Sequence, residues 1–600
     1  MALARMRSAS NHGSHRRLPQ RKGSLVATAG APSPDSRERD SVARLRSVQH
    51  TSVIIIGGGI NGLATFRDLA MQGVDVVLVE REDFASGATA ASSRMIHGGL
   101  RYLENGELRL VRESVRERNA LLRTAPHFVN PLRTTIPIYS TFSSLIASPM
   151  KILRHGPGKQ HTERGAATIK AGLLLYDTFS RDNGTVPRHR FLGRRKSLAA
   201  LPALDPSIKY TATYYDASVH SPERLALDVL LDGIHAHGGA IAVNYVEAVG
   251  LDDSSVRLRD VETGQEFSIG ADVIVNASGP WTDLTNAALG TATSFMGGTK
   301  GSHIVLDHPQ LLEATGGREI FFEYSDGRIV LIYPLHGRVL VGTTDLEADP
   351  RQPAACTDDE VDYFFDLIRH VFPTIQLDRS DIVFTYSGIR PLPRHDDIKP
   401  GLVSRDYRIE VDQDRPGSPV LSLVGGKWTT FRALGETLAD RVLELLDRPR
   451  TRSTDGVVIG GGLGYPKRAN KREAWVASNL PDLDPGRGAQ LLGRYGTRAT
   501  KVAAFLAKGD DSPLVDGTLS TREVAYMAKF ESVVHVTDVV LRRTNLAFVG
   551  GLRPEHLDEI ADALGRELGW GAARVQAEAS ACAEELRAYH SLPRKAVART

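Results

Sequence analysis

Hydrophobic positions along this chain follow two different periods, and each change of period marks an element. Residues 52–56, Ser52-Val53-Ile54-Ile55-Ile56, form a short β-branched run, the pattern of a strand buried on both faces of a parallel sheet. Spacing over 63–72 is helical, and Gly73 ends it. A second β-branched run covers 74–79 and is closed by Glu80. Together these segments predict a βαβ unit. Residues 222–237 predict another helix, ended by Gly238-Gly239, with a strand over 240–249 behind it. Segments 256–258 and 266–269 flank Thr263-Gly264 and predict a hairpin, and 272–277 predict one more buried strand. Between 300 and 400, short strands (302–306, 328–333, 338–342) alternate with loops, which predicts a mostly antiparallel sheet. From 465 the pattern turns helical, with candidate helices at 521–541 and 554–568.

Residues 1–50 lack such periodicity. They are rich in Arg, Ser, Ala and Pro, and their first acidic residue is Asp35. A disordered basic tail is expected there, with order beginning at Thr51. The same composition fits a mitochondrial presequence, but His12, Gly13, Pro19 and Pro32 interrupt any amphipathic helix. No apolar run reaches the ~18 residues needed to span a bilayer, so any membrane contact is expected to be peripheral.

At 600 residues the chain exceeds one core and predicts two or three domains. A net charge of +3 over that length gives no support for a nucleic-acid partner. The two cysteines, Cys356 and Cys582, lie far apart and outside any paired motif. Reduced thiols are expected, and no metal site.

The sharpest chemical signal is Gly57-Gly58-Gly59-Ile60-Asn61-Gly62, between the first strand and its helix, with Glu80 ending the next strand. That context makes the glycines a dinucleotide fingerprint. Gly57 permits the tight turn, Gly59 lets backbone N–H groups approach a pyrophosphate, and Gly62 lets helix pack on strand. The helix N-terminus adds partial positive charge. Glu80 is placed to accept hydrogen bonds from a ribose. The fingerprint alone does not separate FAD from NAD.

The next segment does so by resemblance. Ser86-Gly87-Ala88-Thr89-Ala90-Ala91-Ser92-Ser93-Arg94-Met95-Ile96-His97-Gly98-Gly99-Leu100-Arg101-Tyr102-Leu103-Glu104 resembles the flavin-contact segment of FAD-dependent glycerol-3-phosphate dehydrogenases. Further similar motifs are Lys300-Gly301-Ser302-His303, Val341-Gly342-Thr343-Thr344-Asp345, Gly388-Ile389-Arg390-Pro391, Ser404-Arg405-Asp406-Tyr407 and Gly425-Gly426-Lys427-Trp428-Thr429. Asn276-Ala277-Ser278-Gly279 resembles the second flavin-side turn of the wider D-amino-acid-oxidase-like family. The resemblance covers 52–544. Two segments depart from the pattern. Gly87-Ala88-Thr89-Ala90 replaces a more hydroxyl-rich stretch, at the expense of one or two contacts to the cofactor. Val219-His220-Ser221-Pro222 stands where acidic residues are usual.

The resemblance implies an α/β protein with a Rossmann-like FAD-binding domain, a mostly antiparallel β substrate domain and a C-terminal helical domain. After the tail, 51–450 would form the FAD-dependent region. Its FAD-binding parts would be 51–130, 210–298 and 402–448, and its substrate-domain parts 131–209 and 299–401. Residues 451–600 would be the helical domain. Implied cofactor contacts are Gly57, Gly58, Gly59, Ile60, Asn61, Gly62, Glu80, Ser92, Ser93, His97, Gly98, Gly99, Leu100, Val246, Ala277, Gly279, Gly425, Gly426 and Thr429.

Glycerol 3-phosphate carries a dianion and a secondary alcohol, which suits arginine forks and a proton acceptor. By resemblance the substrate pocket is Arg101, Tyr102, His303, Arg390, Arg405 and Lys427. His303 has an ordinary pKa near ~6.5 and is the candidate proton acceptor; the plainer alternative is a satisfied histidine buried in a strand. Arg390 would stabilise developing alkoxide charge, and Lys427 the reduced flavin. Quinone is the implied electron acceptor. An oxidase using oxygen and a non-catalytic flavin-binding regulatory protein are the alternatives. A basic segment over 151–196 surrounds an apolar stretch at 169–179, suited either to an anionic bilayer or to an ordinary solvated loop with one buried helix. Expected location is the cytoplasm, peripheral on the inner face of a bacterial cell membrane, with the mitochondrion as alternative. A homodimer is compatible with this reading.

Overall fold

The computed structural model describes residues 39–99, 108–140, 166–180, 187–394, 406–412 and 417–590. The run at His50–Ile56 lies inside an eight-stranded sheet, parallel to Val76–Glu80 on one side and to Glu266–Asn276 on the other. Both its faces are apolar, so both are covered. Val53 and Ile55 pack beneath the helices Ile60–Met71, Pro222–Ala236 and Phe431–Leu445. Ile54 and Ile56 face the opposite way, into a cluster with Val256 and Leu258 of the strand Ser255–Asp260.

That second cluster also corrects the expectation for the tail. A helix at Asp40–Arg46 buries Val42 and Leu45 completely against the sheet. Order therefore begins before Thr51. Two apolar side chains three residues apart are enough to dock one turn, and the arginines around them hid the signal.

Two strand readings also change. Residues 240–249 split into Ala240–Asn244 and Val246–Asp252, because Tyr245 adopts φ 55°. Conversely, 266–269 and 272–277 are one strand, Glu266–Asn276, antiparallel to Ser255–Asp260 at its start and parallel to His50–Ile56 further on.

The second sheet has ten strands, and every pairing in it is antiparallel except that of Glu319–Glu323 with Val129–Ile138. Tyr210–Val219 is paired along its length with Val129–Ile138, so it belongs here, although the boundary expected at 210 assigned it to the dinucleotide side. Helix Asp358–Val371, started by a Thr357/Glu360 capping box, covers one face through Ile304, Leu306 and Ile332. C-terminal helices cover the other through Val305, Leu331 and Tyr333.

Pro554–Leu568 is helical as expected. The helix expected over 521–541 is broken into Thr521–Phe530, then Val536–Asp538 and a π-helical turn at Val539–Arg543. The break satisfies buried charge. Arg224 donates to the Glu531 carboxylate at 2.6 Å, and Arg543 donates to the Glu531 carbonyl at 2.7 Å, which an uninterrupted helix would keep for itself. Among the described residues no helix is long and apolar enough to cross a membrane.

Candidate active site

A cavity of about 790 Å³ lies where the two sheets meet, lined by Gly57, Gly59 and Glu80 from the first and by His303, Leu331 and Arg390 from the second. Its two ends are built differently.

At the glycine end, packing dictates the residues. Gly57 has φ +116°, and a Cβ there would stand 2.6 Å from the Ala277 carbonyl oxygen. A Cβ on Gly62 would stand 2.1 Å from the Gly57 carbonyl oxygen. Both glycines are required by the fold. Gly59 is different: its Cβ would meet only Thr89 Oγ1, at 3.4 Å, so the missing side chain keeps the cavity open rather than the turn closed. Glu80 accepts from the Gly58 N–H at 2.7 Å and the Glu82 N–H at 2.9 Å, which fixes the carboxylate at the cavity wall with lone pairs to spare. Burial raises its pKa. The Ile60 N–H donates to Thr89 Oγ1 at 2.9 Å, so the one hydroxyl kept in the Gly87–Ala90 segment serves the helix N-terminus. Asn61 lines the cavity, and its Oδ1 is buried with no hydrogen-bond partner among the described residues.

Of the remaining expected cofactor contacts, Ile60, Ser92, Ser93, His97, Val246, Ala277, Gly279, Gly425, Gly426 and Thr429 line the cavity. Gly58, Gly62, Gly98 and Gly99 do not. Gly58 and Gly62 shape the turn from behind. Gly98 is packed against Tyr176, and its N–H donates to Asp216 Oδ1 at 2.9 Å. Leu100, Arg101, Tyr102 and Arg405 lie outside the described residues.

His303 and Arg390 line the other end from the second sheet, and Lys427 lines the same cavity from a third segment. His303 is buried, stacked on Tyr386 with ring centroids 4.6 Å apart, and its Nε2 is 2.8 Å from Ser93 Oγ. Its Nδ1 is buried without a hydrogen-bond partner among the described residues. Tyr386 and Tyr333 donate to the carbonyls of Ser92 and Ser93, at 3.0 and 3.1 Å, and so fix the serine that meets the imidazole. Arg390 is anchored by Asp345 at 2.8 Å and by the Thr344 carbonyl at 2.7 Å.

One expectation fails here. Burial, reinforced by Arg390 and Arg94, pulls the His303 imidazole down to about 3. It is neutral well below neutral pH, not poised near 6.5. Desolvation and two guanidiniums brought by other segments are invisible in the local sequence.

Sequence reasoning also missed the support behind this end. Asp216 lines the cavity and is held by Arg118 at 2.9 Å and by the Tyr176 hydroxyl at 2.5 Å, all three nearly fully buried. Its signal was the Tyr214-Tyr215-Asp216-Ala217 motif, a carboxylate in an otherwise apolar strand. Arg94 is a second case: buried at φ 57°, it pairs with Glu223 at 2.9 Å and donates to the His220 carbonyl at 2.8 Å. The His220 carbonyl serves Arg94, and Pro222 starts the following helix.

The residues fit a bound FAD. A glycine-lined turn, a helix N-terminus and a fixed carboxylate suit the nucleotide, and a cavity with an unpartnered buried amide oxygen has room and polarity left for a ligand.

Residues 52–441 match the family described as FAD dependent oxidoreductase, and residues 452–575 match the C-terminal domain of alpha-glycerophosphate oxidase. A glycerol-3-phosphate dehydrogenase of Synechocystis sp. is 38% identical, over 84% of this chain and 90% of that protein. A D-erythritol 1-phosphate dehydrogenase of Brucella abortus is 32% identical, over 82% of this chain and 93% of that protein. The crystal structure of a Bacillus halodurans glycerol-3-phosphate dehydrogenase complexed with FAD has the same fold, with a TM-score of 0.69 at 21% identity over 92% of this chain and 97% of that one. The chain thus belongs to the FAD-dependent glycerol-3-phosphate dehydrogenases, within the D-amino-acid-oxidase-like flavin oxidoreductases, and its cofactor is FAD.

Proposed function

We propose that this protein oxidises sn-glycerol 3-phosphate to dihydroxyacetone phosphate and passes the electrons to a membrane quinone. The observation that supports it most is the convergence of His303, Arg390 and Lys427 on the cavity whose far end carries the glycine turn and Glu80. Gly57 to Gly62, Glu80, Ser92, Ser93, His97, Val246, Ala277, Gly279, Gly425, Gly426 and Thr429 would hold FAD, with Gly98, Gly99 and Leu100 beside them. When bound, FAD supplies the two-electron acceptor that takes hydride from the alcohol carbon. Arg101, Tyr102 and Arg405 would grip the phosphate. Arg390 would stabilise negative charge on the alcohol oxygen as its proton leaves. His303 would take that proton. Its pKa is lowered first by burial and then by Arg390 and Arg94, and an entering dianion would offset the part that the two guanidiniums contribute. Lys427 would balance charge beside the cofactor. This reading divides the chain into an FAD-dependent unit up to 450, which takes in the helix Asp40–Arg46, and a helical unit at 451–600.

The test is anaerobic addition of glycerol 3-phosphate to the purified yellow protein. Flavin bleaching is expected, with reoxidation by a quinone analogue faster than by oxygen. No bleaching overturns the reading; preferential reoxidation by oxygen makes the protein an oxidase. D-Erythritol 1-phosphate belongs in the same experiment, and faster bleaching by it reassigns the substrate.

Membrane docking is part of this proposal. Arg194, Arg195 and Lys196 are exposed, and in the helix Ala166–Ser180 Leu174 is exposed while Leu173 and Tyr176 are buried. Salt-sensitive flotation with anionic liposomes, lost when the three cations become Ser, is expected. A homodimer is also compatible with it.

A further inference from the structure

Two neighbouring walls of the cavity, one through Glu80 and Glu82 and one through Val246, are held from outside their own sheet. The residue after Glu82 is Asp83, with no exposed surface. Its carboxylate accepts from Arg543 at 2.6 and 2.9 Å, from Arg542 Nε at 2.5 Å and from Asn244 Nδ2 at 2.9 Å. The residue before Val246 is Tyr245, whose hydroxyl donates to Asp538 at 2.7 Å. Arg542 joins the two by donating also to Asp538 at 2.6 Å. Asp538, Arg542 and Arg543 all belong to the short stretch that ends the broken helix of the C-terminal region.

On the cavity side the same walls are tied together. The Tyr245 N–H donates to the Glu82 carbonyl at 3.1 Å, and the Ala85 N–H donates to the Gly58 carbonyl at 3.0 Å, inside the glycine turn. Hydrogen bonds at Asp83 and at Ala85, joined by the backbone between them, thus link Arg543 to the turn. Apolar packing would join the two regions at less desolvation cost than four buried charges. What directional charge pairs add is a fixed position for the groups they hold.

We propose that the segment Val536 to Arg543 is a latch for the adenosine end of FAD, with Arg543, Asp538 and Tyr245 as positioning residues that set cofactor affinity without touching the reacting atoms. The inference rests on reading the Glu80 end of the cavity as the adenosine end.

The experiment titrates deflavinated full-length protein with FAD, and separately with ADP, which reports the adenosine half alone. Tyr245→Phe should weaken both by about fivefold, the scale of one lost hydrogen bond. Arg543→Met should weaken both by about tenfold or more, because Asp83 loses a charged partner. At saturating FAD, kcat for both variants should stay near the parent value. Unchanged FAD and ADP affinity in the folded variants overturns the latch, as does a kcat that falls in step with affinity. Should Arg543→Met fail to fold, Tyr245→Phe decides. Glu80→Gln separates the two layers of the argument. If it leaves ADP binding unchanged, the adenosine reading fails; if it weakens ADP while the latch variants do not, the latch alone fails.

Discussion

The glycine end and the histidine end of this cavity share one volume but are specified at different ranges. Gly57, Gly59, Gly62 and Glu80 lie within one βαβ unit, and their contacts are almost all to backbone. His303, Ser93, Tyr386, Arg390 and Lys427 come from four segments spread between residues 93 and 427, and Ser93, His303 and Tyr386 meet through side chains. Backbone-built sites tolerate change poorly because a wrong Cβ has nowhere to go. Side-chain-built sites keep their fold when altered and lose rate or affinity instead.

Substitution of the glycines tests that contrast most severely. Gly62→Val should give little folded protein, since its Cβ would overlap the Gly57 carbonyl. Gly59→Val should fold, with native far-ultraviolet dichroism, yet purify without stoichiometric flavin. Folded Gly62→Val, or yellow Gly59→Val, would erase the distinction between a glycine kept for the turn and one kept for the ligand.

At the other end, His303→Asn should retain FAD and slow anaerobic flavin reduction by about 10²-fold, the scale of a lost general base. An unchanged stopped-flow rate would return His303 to the role of a satisfied core histidine.

The buried histidines should respond to acid. Burial pulls His303 to about 3, and His220 and His336 to about 4. Each folded pKa lies below the unfolded value, so the unfolded chain binds more protons between about pH 4 and 6.5. Stability from these groups is present above pH 6.5 and is lost as pH falls through that window. His535 has the opposite sign: Glu262 and Glu578 raise it well above its ordinary value, so its contribution is intact throughout the same window. The melting temperature should therefore fall from pH 7 to pH 5, and His336→Asn should flatten that slope. A variant with the parent's slope would place the acid sensitivity elsewhere.

The smallest effect is expected for Ser93→Ala. It removes the 2.8 Å partner of His303 Nε2 and should slow flavin reduction by about fivefold while FAD remains bound. A loss as large as that of His303→Asn would mean that the serine, not the imidazole, handles the proton.

Much of this arrangement was legible before any coordinates. The run at 52–56 is a central strand because only a strand covered on both faces tolerates consecutive β-branched residues. Pro554–Leu568 was legible from its period alone. The readings that failed did so where distant partners intervened. The helix expected at 521–541 is interrupted to satisfy Arg224 and Arg543, and the strand at 240–249 is turned at Tyr245, whose hydroxyl reaches Asp538. Buried charge outweighs local propensity, because leaving it unpaired costs several kcal/mol while a broken turn costs about one.

By itself, the amino-acid sequence determined the local elements, the dinucleotide turn and the family resemblance, all of which depend on residues near one another in the chain. The tertiary structure decided what each side chain is worth. It lowered the pKa of His303, packed Gly98 against Tyr176, and joined Asp83 to Arg543 across 460 positions. Electrostatics and desolvation act through space, and separation along the chain carries no information about them until the chain is folded.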